Sequence, residues 1–285
     1  MKKRVSVIGA AGQMGTWMCR YFAPKFDVTG YDEDESRPLP RGVEKGTSLV
    51  GAILKADYVV LCTPTRKTPE IIRLIAKEMR RDAHLIDISS QKLKTAASLS
   101  RVPAKIVPVC IHPMFGPGAK GTKGQNIISV PIRDAKKELA LAKLLFPEAT
   151  FVTIDSTEHD KRIAVILGLT HLVNIAFASI VSKDEKPSLT HKMSGSTFRI
   201  QKALSDSIMS ETPELIDTII SNPQLRRIAE ELWKDIGRLL TAVQENKSEE
   251  VTDYVKACQA RIEANGGTAE SYKKMIAMSR AMDKK

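Results

Sequence analysis

Residues 4–15 constrain this chain more than any other stretch. Arg4-Val-Ser-Val-Ile-Gly9 is a short apolar run with strand character, and Gly9-Ala-Ala-Gly12-Gln-Met-Gly15 follows at once. The amphipathic pattern after it predicts a helix from about Thr16 to Phe22. Strand, glycine turn and helix in that order leave backbone N–H groups free at the helix start and let an anion approach the main chain closely. The spacing is Gly-x-x-Gly-x-x-Gly, a variation on Gly-x-Gly-x-x-Gly. In isolation it says little; between a strand and a helix it is a specific sign of a dinucleotide pyrophosphate site. Gly9, Gly12, Gln13, Met14 and Gly15 are therefore the expected cofactor-binding residues.

The unit repeats. Asp27–Asp32, Asp57–Thr63, His84–Ser90, Ile106–Ile111, 126–131 and 150–154 read as strands, separated by helical patterns at about 69–80, from Leu93, and around 134–145. This alternation implies a mostly parallel sheet with helices on both faces, an α/β Rossmann-like dinucleotide-binding domain over residues 1–155. Asp32 stands where such a fold places an acid at the end of its second strand. There it accepts from the adenine ribose hydroxyls and repels a 2′-phosphate, so NAD is expected over NADP. Arg37 and Arg41 close behind are the residues that would favour the phosphate. After Asp155 the strands stop. Helical periodicity occupies 158–182, 194–208, 213–243, 247–264 and 268–282, with breaks at Lys186-Pro187, Pro213, Pro223 and Gly266-Gly267. Residues 156–285 are thus expected to form an all-α domain. Ile216-Ile219-Ile220 and Leu232-Trp233-Ile236-Leu239-Leu240 carry more apolar surface than one helix hides, which points to a homodimer.

The net charge of +11 invites a nucleic-acid reading, but the cations are scattered, aromatics are 5% of residues, and no basic run has interleaved aromatics. No nucleic-acid partner is expected. The four cysteines lie far apart without Cys-x-x-Cys spacing, so neither disulfides nor zinc is expected. Met1-Lys-Lys-Arg4 runs directly into a strand, which is too brief for a signal peptide and suggests a cytoplasmic protein. Residues 163–181 are apolar enough to resemble a membrane span. Thr170, His171 and Asn174 interrupt them, and a buried core helix with a polar stripe turned toward a site is the expected form rather than a membrane contact.

Three strand ends are expected at the cofactor face: Thr63-Pro64, Ser89-Ser90-Gln91-Lys92 and His112. Histidine titrates near neutrality and is the natural general base. Ser90 can orient the imidazole or a substrate oxygen, and Lys92 can hold an anion. The loop Met114–Gly124 after His112 is rich in glycine, as backbone approach to a ligand requires. No histidine–carboxylate set has metal-ligand spacing.

His112-Pro-Met-Phe-Gly-Pro117, Gly9-x-x-Gly12-Gln-Met-Gly15, Asp87-Ile-Ser-Ser-Gln-Lys92 and Glu158-His-Asp160 resemble, in order and spacing, the prephenate/arogenate dehydrogenase family, most closely the dehydrogenase half of the bacterial bifunctional chorismate mutase–prephenate dehydrogenases. The resemblance covers nearly the whole chain. It implies an α/β domain followed by an all-α dimerisation domain, and oxidative decarboxylation of prephenate to 4-hydroxyphenylpyruvate with hydride transfer to NAD. It also implies that His112 polarises the ring hydroxyl with support from Ser90. The substrate's carboxylates need a cation. One alignment of the family arginine places it on Ser207, which cannot serve; the other places it on Arg199 in Ser194-Gly-Ser-Thr-Phe-Arg199, the expected clamp. His171 occupies a family position near the substrate, and Asn174 replaces a second histidine found in some relatives. The resemblance implies that one or more of Glu158, His159 and Asp160 also faces the cleft, with His159 the expected substrate contact. A monofunctional chain is expected, since no mutase-like segment precedes the first strand. Arogenate dehydrogenase is the alternative activity. A β-hydroxyacid dehydrogenase would show a Gly-x-x-x-Asn-Lys type motif in its helical domain. A non-enzymatic nucleotide sensor would need the glycine loop but not Ser90 and His112 on adjacent strands.

Overall fold

Short apolar runs separated by turns build the first half of the chain, and the computed structural model, which describes residues 2–282, shows how they assemble. Strands β1 (Arg4–Ile8), β2 (Asp27–Tyr31), β3 (Glu44–Lys45), β4 (Tyr58–Leu61), β5 (His84–Asp87), β6 (Val107–Pro113), β7 (Asn126–Val130) and β8 (Thr150–Thr153) form one sheet among the described residues, in the order 3-2-1-4-5-6-7-8. Neighbours are parallel except β6 and β7, which run antiparallel. Every residue of β4 is buried, as expected for a parallel strand covered on both faces. Helices α1 (Gln13–Phe22), α2 (Leu49–Ile53), α3 (Thr68–Ile75), α4 (Leu93–Leu99), α5 (Ala135–Leu145) and α6 (Ser156–Ile163) complete this unit. The chain winds outward from β1 to β3 and returns on the other side at β4. That makes β1/β4 the switch point, outside whose carboxyl ends ligands bind in such sheets.

Several expected boundaries shift for local reasons. Helix α1 begins at Gln13, earlier than Thr16, because Gly12 serves as its N-cap in extended conformation. Strand β3 and helix α2 are too short for periodicity to reveal. Strand β6 continues through His112, which pairs with Ile128 of β7 instead of lying beyond the strand end. The core of the unit joins Met18, Phe22 and Trp17 of α1 to Val5, Val7, Tyr58, Ile111 and Phe146. Each large side chain of this kind, fully buried, stabilises the fold by roughly 2 kcal/mol. Trp17 also donates from Nε1 to Ala119 O at 2.7 Å and packs on Phe115 at a ring separation of 5.0 Å. The glycine-rich loop after β6 is thereby tied to the helix of the glycine turn, while Gly116, Pro117 and Gly118 stay exposed.

The chain divides into two compact units, one ending at Ile163 and the other beginning at Ala164. Composition places the change of character at Ser156; the contacts place α6 with the sheet. The second unit opens with a π-helical segment, Ala164–Leu169, and continues as α7 (Thr170–Val181), α8 (Pro187–Met193), α9 (Ser196–Met209), α10 (Pro213–Ile220), α11 (Leu225–Gln244), α12 (Ser248–Ala264) and α13 (Ser271–Met282). It contains no strand among the described residues. Pro187 and Pro213 each sit in the first turn of a helix, where a missing N–H costs nothing.

The helical run Ser156–Val181 is long and apolar enough, by length and composition, to cross a membrane. Its burial corrects the expectation of an apolar helix sunk in a core with its polar stripe turned to a site. Only 28% of the apolar window is buried. Val165, Ile166, Val173 and Ile180 are exposed, whereas His171 and Asn174 are buried. The polar residues find partners within the unit: Asn174 donates to Thr170 O and accepts from Gln201, and Ser205 donates to Asn174 O. Trp233, Ile236 and Leu240 of α11 are likewise exposed.

Candidate active site

The glycine turn is built for close approach. Gly9 has φ +82, a left-handed conformation that favours glycine, and a Cβ there would lie 2.5 Å from Cys62 O. A Cβ on Gly15 would lie 1.9 Å from Gly9 O, so only glycine lets α1 pass against the turn. Among the described residues no side chain caps α1, and its first N–H groups stay available to an anion. Gln13 is exposed and Met14 half-buried at that end. Asp32, just past β2, accepts from Ala11 N–H at 2.9 Å through Oδ2 and from Asp34 N–H at 3.1 Å through Oδ1. Its charge thus sits against the turn. Thr63 and Pro64 follow β4; the Thr63 hydroxyl pairs with that of Thr68 at 2.9 Å, which leaves Pro64 exposed at the strand's carboxyl end.

His112 is held from below. Its Nδ1 lies 3.0 Å from Nε2 of His159, and Nδ1 of His159 lies 2.8 Å from Oδ1 of Asp160. A carboxylate accepts, so His159 donates from Nδ1 and its Nε2 must accept. His112 then donates from Nδ1, and its Nε2 keeps the lone pair. That Nε2 has no partner among the described residues and is not one of the sealed polar atoms that lack one. Burial, with the nearby charge of Lys92 and the second imidazole, pushes the pKa of His112 well below that of a free histidine. Burial also lowers that of His159, against the opposing pull of Asp160. The result is a neutral imidazole with one acceptor nitrogen toward the open side.

A buried ion pair lies beneath. Lys92 Nζ donates to Asp87 Oδ2 at 2.7 Å and to Ile111 O at 2.7 Å, and neither side chain of the pair has exposed surface. Asp87 also accepts from the Ser89 hydroxyl at 3.0 Å, the Ser89 N–H at 3.0 Å and the Cys110 thiol at 3.6 Å. Burial raises the Cys110 thiol and keeps it protonated as a donor. This corrects the expectation for Lys92: a lysine with no exposed surface and its ammonium engaged by Asp87 and Ile111 cannot hold an external anion. It supports the strand that carries His112. His159 is corrected in the same way, since its ring is fully buried and acts on His112 rather than on a ligand. Ser90 is half-buried at the end of this loop, and the neighbouring Ser89 is the serine buried in the network.

Two buried carboxylates, Asp87 and Asp160, carry no individual role in the sequence reading. Asp87 interrupts an apolar strand, His84-Leu-Ile-Asp87, and a charge at such a position demands a buried partner. Asp160 is the last residue of the Glu-His-Asp motif, of which the sequence says only that one or more of the three residues faces a ligand. It receives Lys92 N–H at 2.8 Å and Leu93 N–H at 3.1 Å, so it also caps α4 from another element. Asp155 caps α6, taking the N–H groups of Thr157 and Glu158.

The second unit holds the other expected residues. Arg199 is half-buried in the first turns of α9. His171 donates from Nδ1 to Leu167 O at 2.7 Å and meets Glu211 Oε2 through Nε2 at 3.2 Å, so both ring nitrogens are committed. Burial opposes the charge on His171, but the bonds to Glu211 and Leu167 outweigh it and raise its pKa. A raised histidine pKa stabilises fully below the unfolded value, roughly 6.5, and that stabilisation fades as pH rises through the folded value. Glu211→Gln should therefore lower Tm by about 2–4 °C at pH near 5.5 and by much less near pH 8.5. A Tm gap that is constant with pH would show that the pair does not titrate in this range. A cavity of ≈ 510 Å³ lies between α7, α8 and α9, lined by Phe177, Phe198, Met209, His191 and Lys202, and contains none of the residues around His112.

A glycine-cradled switch point, a neutral histidine two strands away and a following helical unit define a nucleotide-binding α/β domain joined to an all-α domain. Residues 18–129 match the nucleotide-binding domain of prephenate dehydrogenase, and residues 155–257 match its dimerization domain. The chain belongs to the prephenate/arogenate dehydrogenase family. It is 25% identical to the probable arogenate/prephenate dehydrogenase of Methanocaldococcus jannaschii, over 98% of this chain and 66% of that relative, so it spans just under two thirds of that protein. It is 23% identical to the cyclohexadienyl dehydrogenase of Zymomonas mobilis, over 90% and 94% of the two chains. In fold it is similar to the prephenate dehydrogenase of Aquifex aeolicus in complex with hydroxyphenyl propionate and NAD+, with a TM-score of 0.70, 22% identity and coverage of 92% and 97%. Synechocystis arogenate dehydrogenase is similar at a TM-score of 0.64, 17% identity and coverage of 92% and 99%.

Proposed function

We propose that this protein is an NAD-dependent dehydrogenase that oxidatively decarboxylates prephenate to 4-hydroxyphenylpyruvate in tyrosine biosynthesis. The observation that carries the reading is the free Nε2 of a neutral His112, held by His159 on β6, two strands from the switch point. The family sets the substrate class. The cradle at Gly9 and Gly15, the uncapped start of α1 and the acid at Asp32 fit a dinucleotide without a 2′-phosphate, and the Aquifex relative is described with NAD+. When bound, NAD supplies the hydride acceptor.

His112 accepts the hydrogen bond of the ring hydroxyl at Nε2 and draws off its proton as the carbon bearing it is oxidised. Loss of carbon dioxide leaves its bonding pair in the ring, and the resulting phenolate takes the proton back. Aromatisation drives the change, so the protein needs positioning and one base more than strong chemical activation. Ser90 is proposed as a second contact to the hydroxyl. Arg199 is proposed as the cation that clamps a substrate carboxylate. Arg199→Ala should raise KM for the substrate more than about tenfold with little change in kcat, as expected for loss of one charge-assisted contact; an unchanged KM assigns the carboxylate to another cation.

The exposed apolar residues of α7 and α11 and the match to a dimerization domain support a homodimer. A cytoplasmic location accords with this biosynthetic role. The function is tested by following reduced cofactor spectrophotometrically with NAD+ and NADP+, each against prephenate and arogenate. Turnover with prephenate and NAD+ is the expected result. A preference for arogenate or NADP+ would revise substrate or cofactor, and no reduction in any combination would reject the activity.

A further inference from the structure

Between the histidine that meets the substrate and the helix that carries Glu158-His159-Asp160 runs a chain of hydrogen bonds with only one consistent direction. We propose that Asp160 is a positioning residue, acting through His159 to hold the proton of His112 on Nδ1 and the acceptor lone pair on Nε2. The proposal deepens the function given above and rests on it for its kinetic consequences, but not for the direction of the chain.

The geometry leaves little freedom. Both oxygens of Asp160 face donors: Lys92 N–H at 2.8 Å and His159 at 2.8 Å on Oδ1, and Leu93 N–H at 3.1 Å on Oδ2. A carboxylate placed among backbone N–H groups at the start of α4 stays an acceptor. His159 must then present a proton from Nδ1, which leaves Nε2 as the sole acceptor for His112 Nδ1 at 3.0 Å. Without Asp160, either histidine could hold its proton on either nitrogen. In one of those arrangements His112 turns an N–H toward the substrate hydroxyl and is useless as a base.

The same chain gives the proton a place to rest. As the substrate O–H bond breaks, its electron pair stays on oxygen and an Nε2–H bond forms on His112. The Nδ1–H bond of His112 can then break as an Nε2–H bond forms on His159. The positive charge moves from beside Lys92 to beside Asp160, and the reverse transfers return the proton to the phenolate. The charged and titratable groups around the two rings favour this direction. Lys92 at the start of α4 opposes protonation of both rings, and Asp87 of β5 is already paired with Lys92. Cys110 of β6 remains a neutral thiol. Asp160 is the carboxylate in direct contact with either ring.

The test uses the full-length protein with ¹⁵N-labelled histidine. In the wild type, NMR at pH near 7.5 should show His112 and His159 each protonated on Nδ1 and bare on Nε2. A wild-type His112 carrying its proton on Nε2 overturns the proposal. Asp160→Asn should give His112 a mixture of tautomers and lower kcat by about 100-fold or more, with KM changed less than about threefold. The acid limb of its kcat–pH profile should move to lower pH, because an anion that favours the protonated pair is gone. A lower Tm with tautomer, kcat and acid limb all unchanged would mean that Asp160 only caps α4, and would overturn the proposal. Should Asp160→Asn fail to fold, His159→Phe leaves the cap in place and removes the acceptor. A single Nδ1-protonated His112 in that variant would also overturn the proposal. If the wild type turns over neither prephenate nor arogenate, the functional reading fails while the NMR result still decides this one.

Discussion

His112→Asn is expected to lower kcat by about 10²–10⁴-fold, the usual worth of a positioned general base, while binding of NAD+ measured by calorimetry stays within about threefold. The asparagine amide can still donate to His159 Nε2, so the strand and the pairing with β7 survive. What disappears is the free ring nitrogen and its ability to take a proton. The residual rate would report positioning alone. The kcat–pH profile of the wild type should rise through an acid limb placed well below that of free histidine, since burial and Lys92 depress the His112 pKa. Above that limb the base is neutral and competent; below it the lone pair is occupied. His112→Asn should lose the limb together with the rate. Near-normal turnover in this variant would place the chemistry elsewhere even with the activity confirmed.

The second large effect is on stability. Lys92→Met should destabilise the first unit by about 3–5 kcal/mol, because it leaves Asp87 charged and fully buried with only neutral donors around it. Urea denaturation followed by circular dichroism measures this. Lys92→Met with Asp87→Asn should recover much of the loss, since the asparagine oxygen can still accept from Ser89 and no net charge remains buried. A double variant no more stable than the single one would mean that the ion pair is worth more than its desolvation cost, contrary to the usual balance. Lys92 also holds Ile111 O, the carbonyl before His112, at 2.7 Å. Its removal should therefore raise the acid limb of the pH profile by withdrawing a positive neighbour from His112.

These two cases mark where sequence reading succeeds and where it stops. The glycine turn was legible because its requirement is local: a positive φ at Gly9 and a missing Cβ at Gly15 are conditions on a dozen consecutive residues. His112 was singled out because an imidazole among glycines and prolines has few structural uses, and the structure leaves one of its ring nitrogens without a partner among the described residues. Lys92 was misjudged because its surroundings are not local. Its Nζ meets Asp87 five positions back and Ile111 nineteen positions on, and nothing in Ser89-Ser90-Gln91-Lys92 distinguishes a lysine that faces water from one sealed under a sheet. The apolar run 163–181 was misjudged for a related reason. Periodicity records that two faces differ but not which one the rest of the chain covers, and here the polar face is covered within the unit.

The strand–helix alternation, the glycine cradle and the choice of His112 as candidate base follow from the sequence alone, since each depends on residue type at short, fixed spacing. The direction of the proton on that base does not. It is decided by Asp160, 48 positions away from His112, through a histidine between them. Only the packing of α6 beside the start of α4 brings these groups within hydrogen-bond range, because orientation of a lone pair depends on which donors and acceptors meet in space.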